Sequence, residues 1–324
     1  MATTFVHEHL AQAVYFAPRG KKRLLFLGVN LQQRYLSPED KLIGFLGDAG
    51  AGKSLLIRGM FPGLELTNDD DGINIRPLPL LDDSERGHFR CHTYHLDARF
   101  EAAFTQPWLI AEAVKKAILK GHRVVIEHFD LVYPFLGFNA EVLIGVGEEV
   151  IVTRPTIFGP EPESIAKIVF ESIKYRRMAH SAEDLTSMIL EEMGLAKPEI
   201  HSDIKHGFVL EFPEEPDIDL DLVEQRVQDL IQSDLPICFL DDEHIRVGEM
   251  PYPCTGPRIH LRRTGEIKGF RLLREFRFDP IQRLFTIAGV VGEEGCLPSR
   301  PVDLVVERTT NPTLGKRFSN ATIQ

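Results

Sequence analysis

The sequence predicts an α/β fold in which a parallel sheet is covered by helices and is followed by a second, α+β unit. Three observations lead there. In the first half, apolar runs of strand length alternate with segments of helical periodicity, the pattern of parallel strands joined by helical crossovers. A glycine-rich turn, residues 47–52, joins one such run directly to a helix-forming segment. After the Pro/Gly break in FGPEPESI the texture changes to helices separated by short strand-like runs, which puts a domain boundary near residues 158–170. The expected units are 1–165, 166–300 and a polar tail, 301–324.

Taken in order, LAQAVYF and LLFLGVNLQQRYL carry apolar residues at helical spacing, so the first forty residues are expected to be an amphipathic lead-in packed on the elements after it. KLIGFLG (41–47) reads as a strand, and SLLIRGMF beyond the glycine-rich turn as a helix. LTNDDDGINIRPLPLLDDSERG is rich in Asn, Asp, Gly and Pro, and is expected to be exposed loop, a candidate lid or substrate loop containing Asp69, Asp70 and Asp71. WLIAEAVKKAILKG (108–121) is an amphipathic helix ending at glycine. RVVIEHFD follows as a strand, and AEVLIGVGEEVIVTRP as a strand pair. In the second half a helix is expected around 180–194, then the acidic linker FPEEPDIDLD, the helix VEQRVQDLIQ, and short strands to about residue 291.

Composition excludes several classes. No apolar run approaches the eighteen or so residues of a membrane span, and the start MATTFVHEHL lacks a charged region followed by an apolar one, so a cytoplasmic location and no membrane partner are expected. The four cysteines, Cys91, Cys238, Cys254 and Cys296, form no CxxC pair, which argues against a disulfide framework or a four-thiolate zinc site. A net charge of −11 argues against non-specific coating of nucleic acid. It does not exclude a local basic face, and between Arg258 and Arg277 seven Lys/Arg stand against two acids.

The turn carries the chemistry of the first half. Gly47, Asp48, Ala49, Gly50, Ala51, Gly52, Lys53 and Ser54 fit the phosphate-loop pattern G-x-x-x-x-G-K-[ST], with a strand before and a helix after. Such a loop needs consecutive backbone N–H groups turned toward one point. The glycines permit this, and the positive end of the helix, through Leu55, adds to it. Lys53 would reach the β/γ-phosphates and the Ser54 hydroxyl would be a ligand of Mg²⁺. The expected cofactors are therefore Mg²⁺ and ATP, with GTP open as the alternative. A carboxylate ending a neighbouring strand should hold the metal's water shell or act as base. Glu127, at the end of VVIE, is the first candidate and Asp130 the second. Among the histidines, His92, His95, His201 and His206 read as hydrogen-bonding side chains, and His7 and His9 carry no signal.

In the second half CTGPRIHLRRTGEIKGFRL, beginning at Cys254, resembles the second additional domain of alanyl-tRNA synthetase, in which a Cys-Gly-Gly-Thr-His-Val segment precedes Thr-Gly-Glu-Ile-Gly and Phe. Thr264, Gly265, Glu266, Ile267 and Phe270 match. LVEQRVQDLIQSDLPI resembles that family's helix before an Asn-Leu-Pro-like turn, and HSAEDL its His-x-x-x-His-Leu helix. The resemblance covers roughly residues 172–291, and the whole chain resembles a bacterial family in which a P-loop ATPase is fused to this domain. It implies an editing-like domain that acts on mischarged aminoacyl-tRNA and binds zinc through His180, Cys254 and His260. Asp184 stands where the family has its second histidine, and Cys254 precedes His260 by six residues rather than the family's four. His180 and Asp184 still share a helix face, and Zn²⁺ accepts N, S and carboxylate O.

Three functions are expected in consequence. The first is a Mg-dependent ATPase or small-molecule kinase. The second is a deacylase acting in trans on aminoacyl-tRNA, and the third a non-catalytic protein whose nucleotide state switches its grip on tRNA or an amino acid.

Overall fold

The strand Leu42–Leu46 (β2) is buried along its whole length, with Leu42 and Leu46 in one apolar core and Ile43 and Phe45 in another, so the sheet it belongs to is covered on both faces. The computed structural model describes residues 11–67, 78–196 and 200–292, without the side chains of residues 200 and 201. Asp69, Asp70, Asp71, Cys296, His7, His9, the His201 side chain and the 301–324 tail lie outside the described residues.

The first sheet has the order β1-β6-β5-β2-β4-β3. Its strands are Ala13–Phe16 (β1), β2, Thr93–Asp97 (β3), Arg123–Glu127 (β4), Val142–Val146 (β5) and Glu149–Thr153 (β6). The pairs β5/β2, β2/β4 and β4/β3 are parallel, and β6 and β1 extend the sheet antiparallel. One face packs on the helices Lys21–Tyr35 (α1) and Lys53–Met60 (α2). The other packs on Pro79–Arg86 (α3), Pro107–Leu119 (α5) and the start of Pro162–Glu192 (α7). Two single turns, Ala98–Glu101 (α4) and Tyr133–Leu136 (α6), cap strand ends.

Two local expectations are corrected. AVYF is a strand, because a short apolar run fits either period and the open edge of β6 supplies backbone partners from Val152 to Glu149. PLLDDSER is a helix despite its loop-like composition. Proline stands in its first turn, Gly87 ends it in the left-handed region, and buried Asp83 accepts from Arg90 Nε (2.6 Å) and Tyr94 Oη (2.6 Å).

α1 reaches α2 at a glycine pair. A Cβ on Gly28 would meet the Leu56 carbonyl oxygen at 2.5 Å, and one on Gly59 would land on the Leu25 carbonyl oxygen. Gly59→Ala should therefore force the helices apart and cost about 1–3 kcal/mol, read as a shifted midpoint in urea. An unchanged midpoint would refute the close packing.

The second unit holds a sheet ordered β12-β14-β8-β7, with β13 also on β14, and a three-stranded sheet β11-β10-β9, all antiparallel. These strands are Ile200–Ile204 (β7), Gly207–Phe212 (β8), Ile237–Phe239 (β9), His244–Val247 (β10), Met250–Pro253 (β11), Arg271–Leu272 (β12), Arg277–Asp279 (β13) and Leu284–Val290 (β14). They share a core with the helix Leu220–Gln232 (α8), whose N-cap Asp219 accepts from the Asp221 and Leu222 N–H groups. The residue 165/166 boundary falls inside α7, a single 31-residue helix. Ile165, Ala166 and Val169 belong to a core of the first sheet, whereas Met178, Ala182 and Leu185 belong to the core of the second unit. No helix among the described residues is long and apolar enough to cross a membrane.

Candidate functional site

Residues 47–52 turn between β2 and α2 at the carboxyl ends of the parallel strands, the usual place for a ligand in an open α/β sheet. The turn needs positive φ at Gly47 (138°), Gly50 (73°) and Gly52 (96°). At Gly52 the requirement is also steric, since a Cβ would meet Leu24 Cδ2 at 2.6 Å. Lys53 then opens α2.

A cleft of about 430 Å³ faces the turn. Of the expected residues, Ala49, Gly50, Gly52, Lys53, Ser54 and Glu127 line it. The Ser54 hydroxyl donates to Glu127 Oε1 at 2.9 Å, and Lys53 Nζ lies 3.6 Å from Glu127 Oε2 while donating to the Asp48 carbonyl at 2.9 Å. β4 brings Glu127 there by pairing it with Phe45, next to the turn. Burial pushes the Glu127 carboxyl up. His95 Nε2 (3.3 Å), the Lys53 ammonium and the Ser54 hydroxyl outweigh that push and hold it below the ordinary carboxylate range.

The remaining expected residues stand outside the lining. Asp48 turns to Arg177 Nη2 at 3.0 Å, and the Ala49 N–H with Arg177 holds its carboxyl low against the upward push of burial. Leu55 packs on the apolar core, and Ala51 is fully buried. Asp130 sits in the 3-10 turn Phe129–Leu131 just after β4 and does not line the cleft. Its Oδ1 is buried with no hydrogen-bond partner among the described residues, and burial raises its carboxyl.

Sequence reasoning missed Asp97, Arg99, Phe100, Ala103, Phe104 and His128, which complete the lining. Asp97 had a signal: it ends β3 as Glu127 ends β4, and it also caps α4 by accepting from the Phe100 N–H at 3.0 Å. Phe100 and Phe104 form an aromatic pair with centroids 5.4 Å apart. His95, expected as a plain hydrogen-bonding side chain, is one: it also accepts from or donates to Thr67, and it orients Glu127.

His128 adopts φ 55°, and burial, then the Lys53 charge, pushes its pKa down to about 4. The unfolded chain keeps a histidine at about 6.5. Between those values only the unfolded state takes the proton, so stability rises with pH and is lost as pH falls toward 4. His180, lowered chiefly by burial, acts in the same direction. His128 alone should make the protein on the order of 1–2 kcal/mol less stable at pH 5 than at pH 7. Melts at both pH values, with His128→Asn flattening the difference, check this; an equal difference in the variant would contradict it.

A second constellation lies along α7. His180, Asp184, Cys254 and His260 offer ligand atoms all within 4.8 Å of one another. His180 Nε2 is 3.3 Å from Cys254 Sγ, Cys254 Sγ 3.8 Å from His260 Nε2, and His260 Nε2 2.9 Å from Asp184 Oδ2. Around a tetrahedral zinc with bonds of about 2.0–2.3 Å, ligand atoms stand roughly 3.3–3.8 Å apart, so the donor set fits in number and chemistry, and its separations, from 2.9 Å to within 4.8 Å, bracket that spacing. The outer shell fits as well. His180 Nδ1 faces Glu183 Oε2 at 3.3 Å and His260 Nδ1 faces the Pro257 carbonyl at 3.3 Å, which directs both Nε2 atoms inward. The Gly256 N–H points at Cys254 Sγ (3.3 Å), as it would toward a thiolate.

No family model and no curated protein matches the chain. Among solved structures it is similar to one described as the crystal structure of the SepCysS-SepCysE N-terminal domain complex, at 9% identity and TM-score 0.21 over 72% of this chain and 70% of that one. A likeness of that size carries no argument about fold or function.

Proposed function

We propose that the chain is a Mg-dependent P-loop enzyme, an ATPase or small-molecule kinase that binds ATP, with GTP as the alternative base, at residues 47–55. The observation that carries the reading is the meeting of Lys53, Ser54 and Glu127 in one cleft at the start of α2. Ser54 and Glu127 are hard oxygen donors 2.9 Å apart, a donor set that suits Mg²⁺. Bound Mg²⁺ would neutralise charge across the β- and γ-phosphates.

The chain's own residues do the rest. The N–H groups at the loop and helix start orient the phosphates, and Lys53 adds a compact positive charge. Glu127, held ionised, suits the metal's water shell better than the role of a base tuned near neutrality. Asp97, ending the next strand and lining the same cleft, is then the carboxylate for the proton of the attacking water or hydroxyl.

We read the second unit as an alanyl-tRNA synthetase editing-like domain with zinc at His180, Asp184, Cys254 and His260. Four protein ligands whose side chains are at most 8% exposed describe a closed site of the structural kind. This supports the nucleotide reading over a deacylase, which needs an open coordination position. tRNA or an amino acid is the proposed partner of this unit, through exposed Arg258, Arg262, Arg263, Lys268 and Arg271. That Cys91, Cys238 and Cys254 form no disulfide among the described residues is in keeping with a cytoplasmic location.

Calorimetry of Mg·ATP and Mg·GTP on chelator-free protein, with zinc determined on the same sample, tests the proposal. One nucleotide should bind with a Kd in the range of about 1 μM to 1 mM. Heats of dilution alone from both would overturn it.

A further inference from the structure

Arg176 is 2% exposed, and its guanidinium ends among backbone carbonyls. Nη1 donates to the Ala51 carbonyl in the glycine-rich loop at 2.8 Å and to the Gly147 carbonyl at 3.3 Å, and Nη2 donates to the Pro18 carbonyl at 2.6 Å. A loop that presents its N–H groups to an anion must send its carbonyls elsewhere, and a buried carbonyl without a donor is costly. The next residue repeats the arrangement, with Arg177 Nη2 meeting Asp48 Oδ2 at 3.0 Å and the Ala49 carbonyl at 3.2 Å.

Both arginines stand on α7, one turn before His180 and two before Asp184. The other two cluster residues return to the same place. The Lys21 N–H donates to the Thr255 carbonyl at 3.1 Å, and a Cβ on Gly256 would strike the Arg19 carbonyl oxygen. Arg19 Nε pairs with Glu183 Oε2 at 3.0 Å, and Glu183 faces His180. The Arg258 carbonyl lies 3.8 Å from where a Cβ of Gly50 would stand. Helix α7, residues 18–21 and residues 254–260 thus enclose the loop from behind.

We infer that Arg176 is the positioning residue of the glycine-rich loop, and that through α7 it makes occupancy of the His180, Asp184, Cys254 and His260 cluster and nucleotide binding at the loop one linked equilibrium. This rests on the proposed nucleotide and zinc readings and adds the coupling between them. A metal ion fixes α7 against residues 254–260, so it fixes the donors on which the loop carbonyls depend. Linkage then requires the converse, that nucleotide tightens binding of the metal, which we expect to see as slower release.

The test uses the full chain. Mg·ATP and Mg·GTP are titrated into zinc-loaded and zinc-depleted protein, and zinc release to a chromogenic chelator is timed with and without the nucleotide that binds. The expected result is a Kd about tenfold tighter in the zinc form, and zinc release slowed by nucleotide. Arg176→Lys should keep stoichiometric zinc, weaken nucleotide binding and bring the two Kd values together. If that variant does not fold, Arg177→Ala, at a half-buried position, should shrink the ratio in the same direction. Failure of the zinc-loaded protein to bind either nucleotide would overturn the nucleotide reading and this inference with it. Nucleotide binding with equal Kd in both zinc states would overturn the inference alone, and a folded protein that binds nucleotide but takes up no zinc would overturn the zinc reading and the inference while leaving the nucleotide reading standing.

Discussion

Lys53→Ala should lower nucleotide turnover by roughly 10²- to 10³-fold, the usual effect of removing one preorganised charge from a developing phosphoryl centre. Lys53 is 4% exposed and 3.6 Å from Glu127, and no second lysine lines the cleft to replace it. The variant should nevertheless fold. Glu127 keeps the Ser54 hydroxyl at 2.9 Å and His95 at 3.3 Å, which leaves a cost of about 1–3 kcal/mol for a buried carboxylate short of one partner. Phosphate release in steady state, with circular dichroism as the folding control, gives the answer. Wild-type turnover in the variant would mean that the loop does not bind the reacting phosphates.

Cys254→Ala is expected to abolish stoichiometric zinc and to lower the melting temperature by roughly 10 °C, since a four-ligand zinc site contributes several kcal/mol to the fold it closes. The effect should be large because the ligands come from opposite ends of the second unit. His180 and Asp184 sit on α7, and Cys254 and His260 lie in the loop after β11. In the variant the rings of His180 and His260, with centroids 4.3 Å apart, also lose their contacts with Cys254 Sγ and are left to the Asp184, Glu183 and Pro257 contacts among others. Elemental analysis and thermal melts, repeated on wild-type protein after chelation, should agree. A zinc-free wild-type protein that melts where Cys254→Ala melts, with zinc-loaded wild-type melting no higher, would refute a structural metal.

What the sequence made legible was local. Strand β2, its glycine-rich turn and α2 were readable because each choice lies within one twenty-residue stretch. Glu127 was readable because a carboxylate closes an apolar run. Asp97 obeys the same rule but ends the histidine-bearing TYHLD, whose polar positions hide a strand that is buried through its centre. Strand β1 was not readable: AVYF becomes a strand by joining the β6 edge, which its own residues do not announce. The helix α3 was disguised by Pro, Asp and Ser, residues that serve there as first-turn and network residues. Arg176 and Arg177 gave no sign at all, since their acceptors lie up to 158 residues away. The His180–Asp184 spacing could be seen in the chain, whereas its meeting with Cys254 and His260 came from a resemblance and needed the fold to bring the atoms within 4.8 Å.

The unbroken course of α7 bears on how such a protein can be varied over time. A seam at the Pro/Gly break near residue 160 looks like a place where one module was joined to another, yet the helix that begins there serves the sheet for its first three turns and the second unit for the rest. Replacing the second unit by an unrelated one would therefore remove Arg176, and with it the donor behind Ala51. The halves are not interchangeable parts on a common hinge. A lineage that keeps this loop must keep at least the middle turns of the helix, whatever becomes of the rest.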